Sequence, residues 1–337
     1  MIRFWTSEKL EVLGRTPLDR LKEAAEVNND ASAQNDLGLE YLHGDNIRRD
    51  KQKALELFQK SADQGFAAAQ ENLGLMYLLG VGVNKDYEKA FRYFQMANDG
   101  GYFYAKYDLG MMYIDGLGTI QNTQLGFEYI KEIANSGDSL ALYRLGMLYL
   151  KGIGVQSDVK KGLHFLKLSA DKGHPDAFVE LGMMYLKGNY VEKDYSKARK
   201  MFTIGSDSYE CTRAKYMLGT MYYKALGVKQ NLKEAVYFLE ECSSRGHSDA
   251  SEILARIYST AFDLKDPKLA DYYEQLSREQ KKHNGGVVED YGFDIDNRCT
   301  GESSKEKSRG SFFLCVVTLF AVIMLCKELI RLLSKAS

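Results

Sequence analysis

The residues of this chain that could do conventional chemistry are five histidines, five cysteines and three Gly-x-Gly elements. Histidine and cysteine hold a transition metal, or form a nucleophile and its base, only when short regular spacings or a recognisable motif bring them together. His43, His164, His174, His247 and His283 stand far apart, at what read as unrelated phases of the chain or in linkers, and none falls in such a motif. Cys211, Cys242, Cys299, Cys315 and Cys326 are odd in number and include no Cys-x-x-Cys, so neither a zinc site nor a disulfide framework is expected. Gly80-Val81-Gly82, Gly116-Leu117-Gly118 and Gly152-Ile153-Gly154 would suit a phosphate only after a strand and before Lys-Ser/Thr; here each follows a helical pattern and reads as a turn. No catalytic residue, no cofactor and no metal are therefore predicted, and the chain is read as something other than an enzyme.

A second kind of chemistry, recognition of other proteins, is better represented. Tyr107, Tyr143 and Tyr216 form one column and Met111, Met147 and Met183 another, with Lys151 and Lys187 following as polar neighbours. Tyrosine and methionine make adaptable binding surface, and lysines beside them would supply a rim, as would Asp115 and Lys224.

The elements that must position these columns are set by a repeat. Leu37, Leu73, Leu109, Leu145, Leu181, Leu218 and Leu254 recur every 36 residues, once 37, all but the last followed by glycine. An alanine four before and a tyrosine four after each leucine complete one face of a helix. Glycine past the tyrosine predicts the helix end. The column Asp50, Asp86, Asn122, Asp158, Asp194 and Asn231 then predicts the N-cap of a second helix. Each unit is thus an antiparallel helix pair, and because one pair cannot bury its own apolar face, the pairs must stack. Thr16-Pro17 opens a capping helix over the first unit, and Asp266-Pro267 starts a final helix expected to close the array with Tyr272, Tyr273 and Leu276.

The pattern Ala-x3-Leu-Gly-x2-Tyr-x2-Gly-x-Gly-Val followed by Asp-x2-Lys-Ala, seen best from Ala69 to Gly101, resembles the Sel-one-like repeat, a relative of the tetratricopeptide repeat. Leu125-Gly126, Asn189-Tyr190 and an extra residue near Ser206 depart from it locally. The resemblance implies an all-α, right-handed α-solenoid of antiparallel helix pairs. It also implies an adaptor role, which rests on analogy. If the array curves as tetratricopeptide arrays do, the Tyr and Met columns face its concave side and take up proteins or peptides there. One branch of the family recruits substrates to a membrane ubiquitin ligase in the endoplasmic reticulum. The cysteine pairs of bacterial relatives linked to β-lactam binding are missing here.

The division expected is an N-terminal capping region over 1–32, about seven repeats over 33–276, a disordered linker over 277–310, one transmembrane helix over 311–326 and a short basic tail over 327–337. The apolar run from Phe312 to Cys326 carries no charge, and its ten Leu, Ile, Val and Phe favour insertion by about 3 to 6 kcal/mol in sum. As a helix, 311–326 spans ~24 Å against a hydrocarbon thickness of about 27 Å, a gap that Lys327 and Arg331 would close by snorkelling. The alternative for this run is a terminal helix docked on the solenoid. Balanced charge, 45 Lys plus Arg against 46 Asp plus Glu, speaks against nucleic acid as a partner. The N-terminus has no apolar stretch of signal length and no Asn-x-Ser/Thr occurs. The expected topology is therefore a single-pass, tail-anchored adaptor whose repeats face the cytosol, with 311–326 contacting lipid of the endoplasmic reticulum or, as the alternative, the mitochondrial outer membrane. Protein quality control is the expected setting. The competing readings are a luminal subunit that recruits substrates to a ubiquitin ligase and, from another class, an enzyme. Val287-Val288-Glu289-Asp290-Tyr291-Gly292-Phe293-Asp294 forms an acidic-aromatic island suited to a docking peptide.

Overall fold

The computed structural model describes residues 16–284 apart from 45 and 210, and its regular secondary structure there consists of fifteen helices. They are α1 (Pro17–Glu26), α2 (Ala31–His43), α3 (Lys51–Asp63), α4 (Ala67–Leu79), α5 (Tyr87–Asp99), α6 (Ala105–Asp115), α7 (Thr123–Asn135) and α8 (Ser139–Lys151). They continue as α9 (Val159–Asp171), α10 (Pro175–Lys187), α11 (Tyr195–Tyr209), α12 (Thr212–Lys224), α13 (Leu232–Ser244), α14 (Ser248–Thr260) and α15 (Pro267–Asn284). The described residues form two compact units, one ending at Asn84 and holding α1 to α4, the other beginning at Lys85 and holding α5 to α15.

Local chemistry explains where each helix starts and stops. The Asp158 carboxylate accepts from the Lys161 amide at 2.9 Å and Asn122 accepts from the Leu125 amide at 3.0 Å, satisfying donors that the first turn leaves open. Thr16 and Asp19 form a reciprocal capping box ahead of Pro17. The first helix of a pair ends in a left-handed glycine, as at Gly152 (φ 68°), and Ala225 takes the same conformation (φ 56°) where glycine is absent. The tyrosine column then holds the turn by its backbone, because the Tyr149 carbonyl accepts the Asp158 amide at 2.9 Å.

Packing follows the columns. Every repeat leucine is at most 4% exposed, each stabilising its unit by roughly 1.5 to 3 kcal/mol relative to an exposed side chain. Between α6 and α7 the approach is backbone to backbone: a Cβ on Gly126 would lie 2.5 Å from the Gly110 carbonyl oxygen. The Gly-x-Gly turns join successive repeats. A Cβ on Gly118 would stand 2.0 Å from the Tyr87 carbonyl oxygen, and one on Gly154 would stand 2.1 Å from that of Thr123, so each second glycine seats the turn on the preceding repeat's second helix. Across a pair, a small polar side chain on the second helix ties the start of the first, as Ser169 does to the Ser139 carbonyl at 2.7 Å.

The closing helix differs from expectation. It runs to Asn284, eight residues past the expected end of the array, so the linker does not begin at 277. Ser277 is buried and donates to the Ser248 carbonyl at 3.0 Å, and Gln280 donates to the Ser243 carbonyl at 2.8 Å. These short polar partners carry no hydrophobic period, which is why the sequence pattern lost them. Among the described residues no helix is long and apolar enough to cross a membrane. The expected span over 311–326, the basic tail over 327–337, the linker beyond 284 and residues 1–15 of the capping region lie outside the described residues.

Candidate functional site

The second unit carries a groove of about 520 Å³ on the first helices of three successive pairs, α8, α10 and α12, with α14 contributing at one end. Helical spacing puts Met147 and Lys151 four apart on α8 and Met183 and Lys187 four apart on α10, so each helix offers a methionine and then a lysine. Tyr216 on α12 completes the apolar lining. Met147, Met183 and Tyr216 are half-buried, while Lys151 and Lys187 are exposed. Among the described residues neither lysine enters an ion pair. Five of the eight expected residues therefore converge in one groove.

The other three do not. Tyr107 is 4% exposed, Met111 9% and Tyr143 8%, all packed between helices. The Tyr107 hydroxyl accepts from Arg144 Nε at 3.1 Å, one repeat along. Tyr143 stacks on His174 with ring centroids 5.0 Å apart and planes 6° from parallel. Their placement corrects the expected recognition column: at Tyr107 and Tyr143 the position two before the leucine is consumed by contact between repeats.

Sequence reasoning missed the charged and imidazole groups that frame the groove. Arg213 of α12 reaches back to α10, with Nη1 2.8 Å from Asp176 Oδ1 and Nη2 3.1 Å from Glu180 Oε1. Burial works against the Arg213 charge, yet the two carboxylates outweigh it and raise its pKa further. His247 stacks on Tyr216 at 4.2 Å. Burial, and then Asp249, raise the Tyr216 hydroxyl above the usual phenol range. His174 and His247 in fact share one phase, each closing its repeat after a glycine and each stacking on the tyrosine at the fifth position of that repeat. The Gly-His pair recurring two repeats apart was the available signal. Asp249 lines the α14 end.

The two described cysteines belong to the packing around α12 and α13. Cys242 is fully buried, donates to the Thr212 carbonyl at 3.4 Å in the role serine plays in other pairs, and burial pushes its thiol up to about 12. Burial also raises Cys211. Among the described residues no group of three or more His, Cys, Asp or Glu is placed to hold a metal. A second hollow, of about 700 Å³ in the first unit, is lined by the turn from Ile47 to Lys51 with Tyr41 and Lys53. Its basic residues come from one turn and the first residues of α3 rather than converging from several helices.

The comparisons with known proteins agree with this architecture. One similar solved structure is a Sel1 repeat protein from Oxalobacter formigenes, with 26% identity and a TM-score of 0.62 over 72% of this chain and 98% of that one. Another is c5321, a protective antigen of uropathogenic Escherichia coli displaying an SLR fold, with 27% identity and a TM-score of 0.53 over 78% of this chain. This chain spans 56% of the length of that antigen. No curated protein matches the chain. The Sel1 repeat model matches six times, over residues 31–66, 67–102, 103–138, 139–174, 175–208 and 212–247. The pair α14 and α15 follows as an unmatched seventh. With those matches covering most of the array, and with the leucine, cap and left-handed glycine columns in their places, the chain belongs to the Sel1 repeat family.

Proposed function

We propose that this chain is a membrane-anchored adaptor and not an enzyme, a repeat scaffold that offers the groove across α8, α10 and α12 to a protein or peptide partner. The observation that carries the reading is the convergence of Met147, Met183 and Tyr216 with Lys151 and Lys187, which have no ion pair among the described residues, in one groove drawn from three repeats. Adaptable apolar side chains give contact area, and charges at the margin select the partner. Sel1 repeat proteins generally mediate protein–protein interactions, and the family supports that reading of the groove. The uncharged run from Phe312 to Cys326 supplies the anchor, the repeats lie on the cytosolic side of the endoplasmic reticulum, and the pathway served is protein quality control.

A photo-crosslinking residue placed at Met183 of the full chain tests the groove. The expected result is a discrete protein adduct that weakens with Met147→Ala or Tyr216→Ala. It should be missing when the probe sits at Tyr237, which is 66% exposed on α13, a second helix. Equal adducts at both positions, or none at Met183, would overturn the groove as the binding surface. Topology is tested in intact microsomes: added protease should digest the repeats while an acceptor sequence appended after Ser337 becomes glycosylated. Protected repeats with an accessible C-terminus would reverse the orientation, and release by alkaline carbonate would remove the anchor.

A further inference from the structure

One turn of the array departs from the rule its counterparts keep, and it borders the groove. Nine residues past the repeat leucine, Gly82, Gly118, Gly154 and Gly227 take left-handed φ values between 64° and 72°, and a Cβ on any of them would meet the preceding repeat at 3.1 Å or less. In the fifth repeat the same position is Tyr190, at φ 65°. A bulky residue in the left-handed region is an outlier, and such strain persists only where the surrounding structure holds it, most often at a binding surface. With a side chain where the others have none, the turn after α10 cannot close on α9 as its counterparts on Gly118, Gly154 and Gly227 close on α5, α7 and α11. The ring has gained a position instead. Tyr190 is 51% exposed and lines the groove beside Asn189 and Lys187.

Charge is uneven along the same groove. Lys151 and Lys187 end α8 and α10, at the margin that Tyr190 borders, and among the described residues lining the groove no carboxylate stands there. Glu180 lies two turns earlier on α10 and is held by Arg213, while Asp249 belongs to the start of α14. We propose that the groove takes an acidic segment of another protein, one carrying an aromatic or large aliphatic side chain next to its carboxylates, and that Tyr190 is the residue that grips it. The inference rests on the groove being a binding surface, as proposed above. The partner's apolar side chain lies over Met147 and Met183, which adapt to its shape. Its carboxylates meet Lys151 and Lys187, the two cations left without an ion pair. The Tyr190 ring covers this contact from the lip and keeps water from it, the work that tyrosines at the centre of interfaces commonly do. A ring carried on a backbone already fixed in one conformation gives up little freedom on binding. The strained turn is thus tied to recognition rather than to the stacking of repeats.

The test is a selection of randomised peptides displayed on phage against the full chain in mild detergent, with the recovered peptides synthesised and their affinities read by anisotropy. Recovered sequences should set Asp or Glu beside Phe, Trp, Leu or Met, and Lys151→Glu with Lys187→Glu should weaken their binding about tenfold or more. Tyr190→Gly should have two opposite effects. It should raise the urea midpoint of the second unit, because the left-handed strain is relieved, and weaken the same peptides about tenfold. Tyr190→Phe, which keeps the ring, should hold their affinity within about twofold. A Tyr190→Gly chain that binds the peptides as the wild type does, or a selection that recovers no peptides or none with an acidic bias, would overturn the proposal. A lowered midpoint in Tyr190→Gly would make Tyr190 a structural residue and overturn it as well. So would a dimer of the full chain that Tyr190→Gly dissolves, since the groove would then belong to a second copy. If the selection fails while the crosslinker at Met183 still captures a partner specifically, the acidic partner and the role of Tyr190 fall and the groove stands. If both fail, both fall.

Discussion

In the N-terminal unit the column two before the repeat leucine is polar: Asn35 is buried on α2 and Glu71 on α4, and Asn72 donates from Nδ2 to Asn35 Oδ1 at 2.8 Å. In the second unit the same column holds Tyr107, Tyr143, Val179, Tyr216 and Glu252, and the partners of its tyrosines are rings and guanidinium groups rather than amides. Both solutions join one repeat to the next. They differ in what they leave over. The asparagine pair is spent on a mutual hydrogen bond under cover, whereas the tyrosines of the second unit include a half-buried one, Tyr216, that lines a groove with methionines beside it. A repeat scaffold can thus keep its leucine, glycine and cap columns constant and change one column from buried seam to groove lining. The constant columns carry the stability, and the variable one sets which side chains are left to line the groove.

That contrast presumes a common joint beneath both faces, and the joint is the first place to break it. Gly154 combines a left-handed φ of 69° with a Cβ position 2.1 Å from the Thr123 carbonyl oxygen, a neighbour that cannot swing aside. Gly154→Val is expected to cost about 3 kcal/mol or more in the second unit, read as a lowered urea midpoint, and an unchanged midpoint would mean the turn carries no load. Gly110→Leu should follow at about 1 to 3 kcal/mol, since its Cβ would lie 3.1 Å from both the Gly126 carbonyl oxygen and Ile130.

The seam comes next. Asn72→Leu strips the hydrogen bond from buried Asn35 and should cost about 1 to 3 kcal/mol, while the double change Asn35→Leu with Asn72→Leu should recover most of it. Two equal losses that simply add would show that the amides do not act as a pair. Tyr107→Phe should cost less, about 0.5 to 1.5 kcal/mol, because the bond from Arg144 is removed while the ring stays packed. A loss of partner binding exceeding that loss of stability would return Tyr107 to the recognition surface.

The smallest expected effect is a pH dependence. Burial holds His174 below the usual imidazole range, with Asp176 and Asp138 opposing and Arg144 adding to the depression. The unfolded chain therefore takes up a proton below about pH 6.5 that the folded chain refuses until lower pH, so stability contributed here falls as pH falls through that window. The melting temperature should drop between about pH 7.5 and 5.5, and drop less in His174→Phe, which keeps a ring against Tyr143. An identical drop in both would assign the acid sensitivity to other groups.

The leucine period, the cap column and the glycine ends were legible because each is local. A cap satisfies amides two or three residues on, and a left-handed glycine ends its own helix, so Asp158 and Gly152 announce their roles without knowledge of their neighbours. Met147, Met183, Lys151 and Lys187 were legible for the same reason, as repeated positions on one helix face. Which tyrosines belong to the groove was not. Tyr143 and Tyr216 share a phase and each stacks on a histidine, yet one is core and the other lines the groove, because exposure depends on the side chains that neighbouring repeats place around each ring. The bridge from Arg213 to Asp176 and Glu180 and the extension of α15 to Asn284 likewise depend on contacts about 30 residues or more away in sequence. Sequence alone thus determined the repeat, its pairs and their boundaries, since these follow from interactions within a turn or two of helix. Only the tertiary structure decided which side chains of a common column remain available to a partner, since burial is a property of the neighbouring repeat and not of the residue itself.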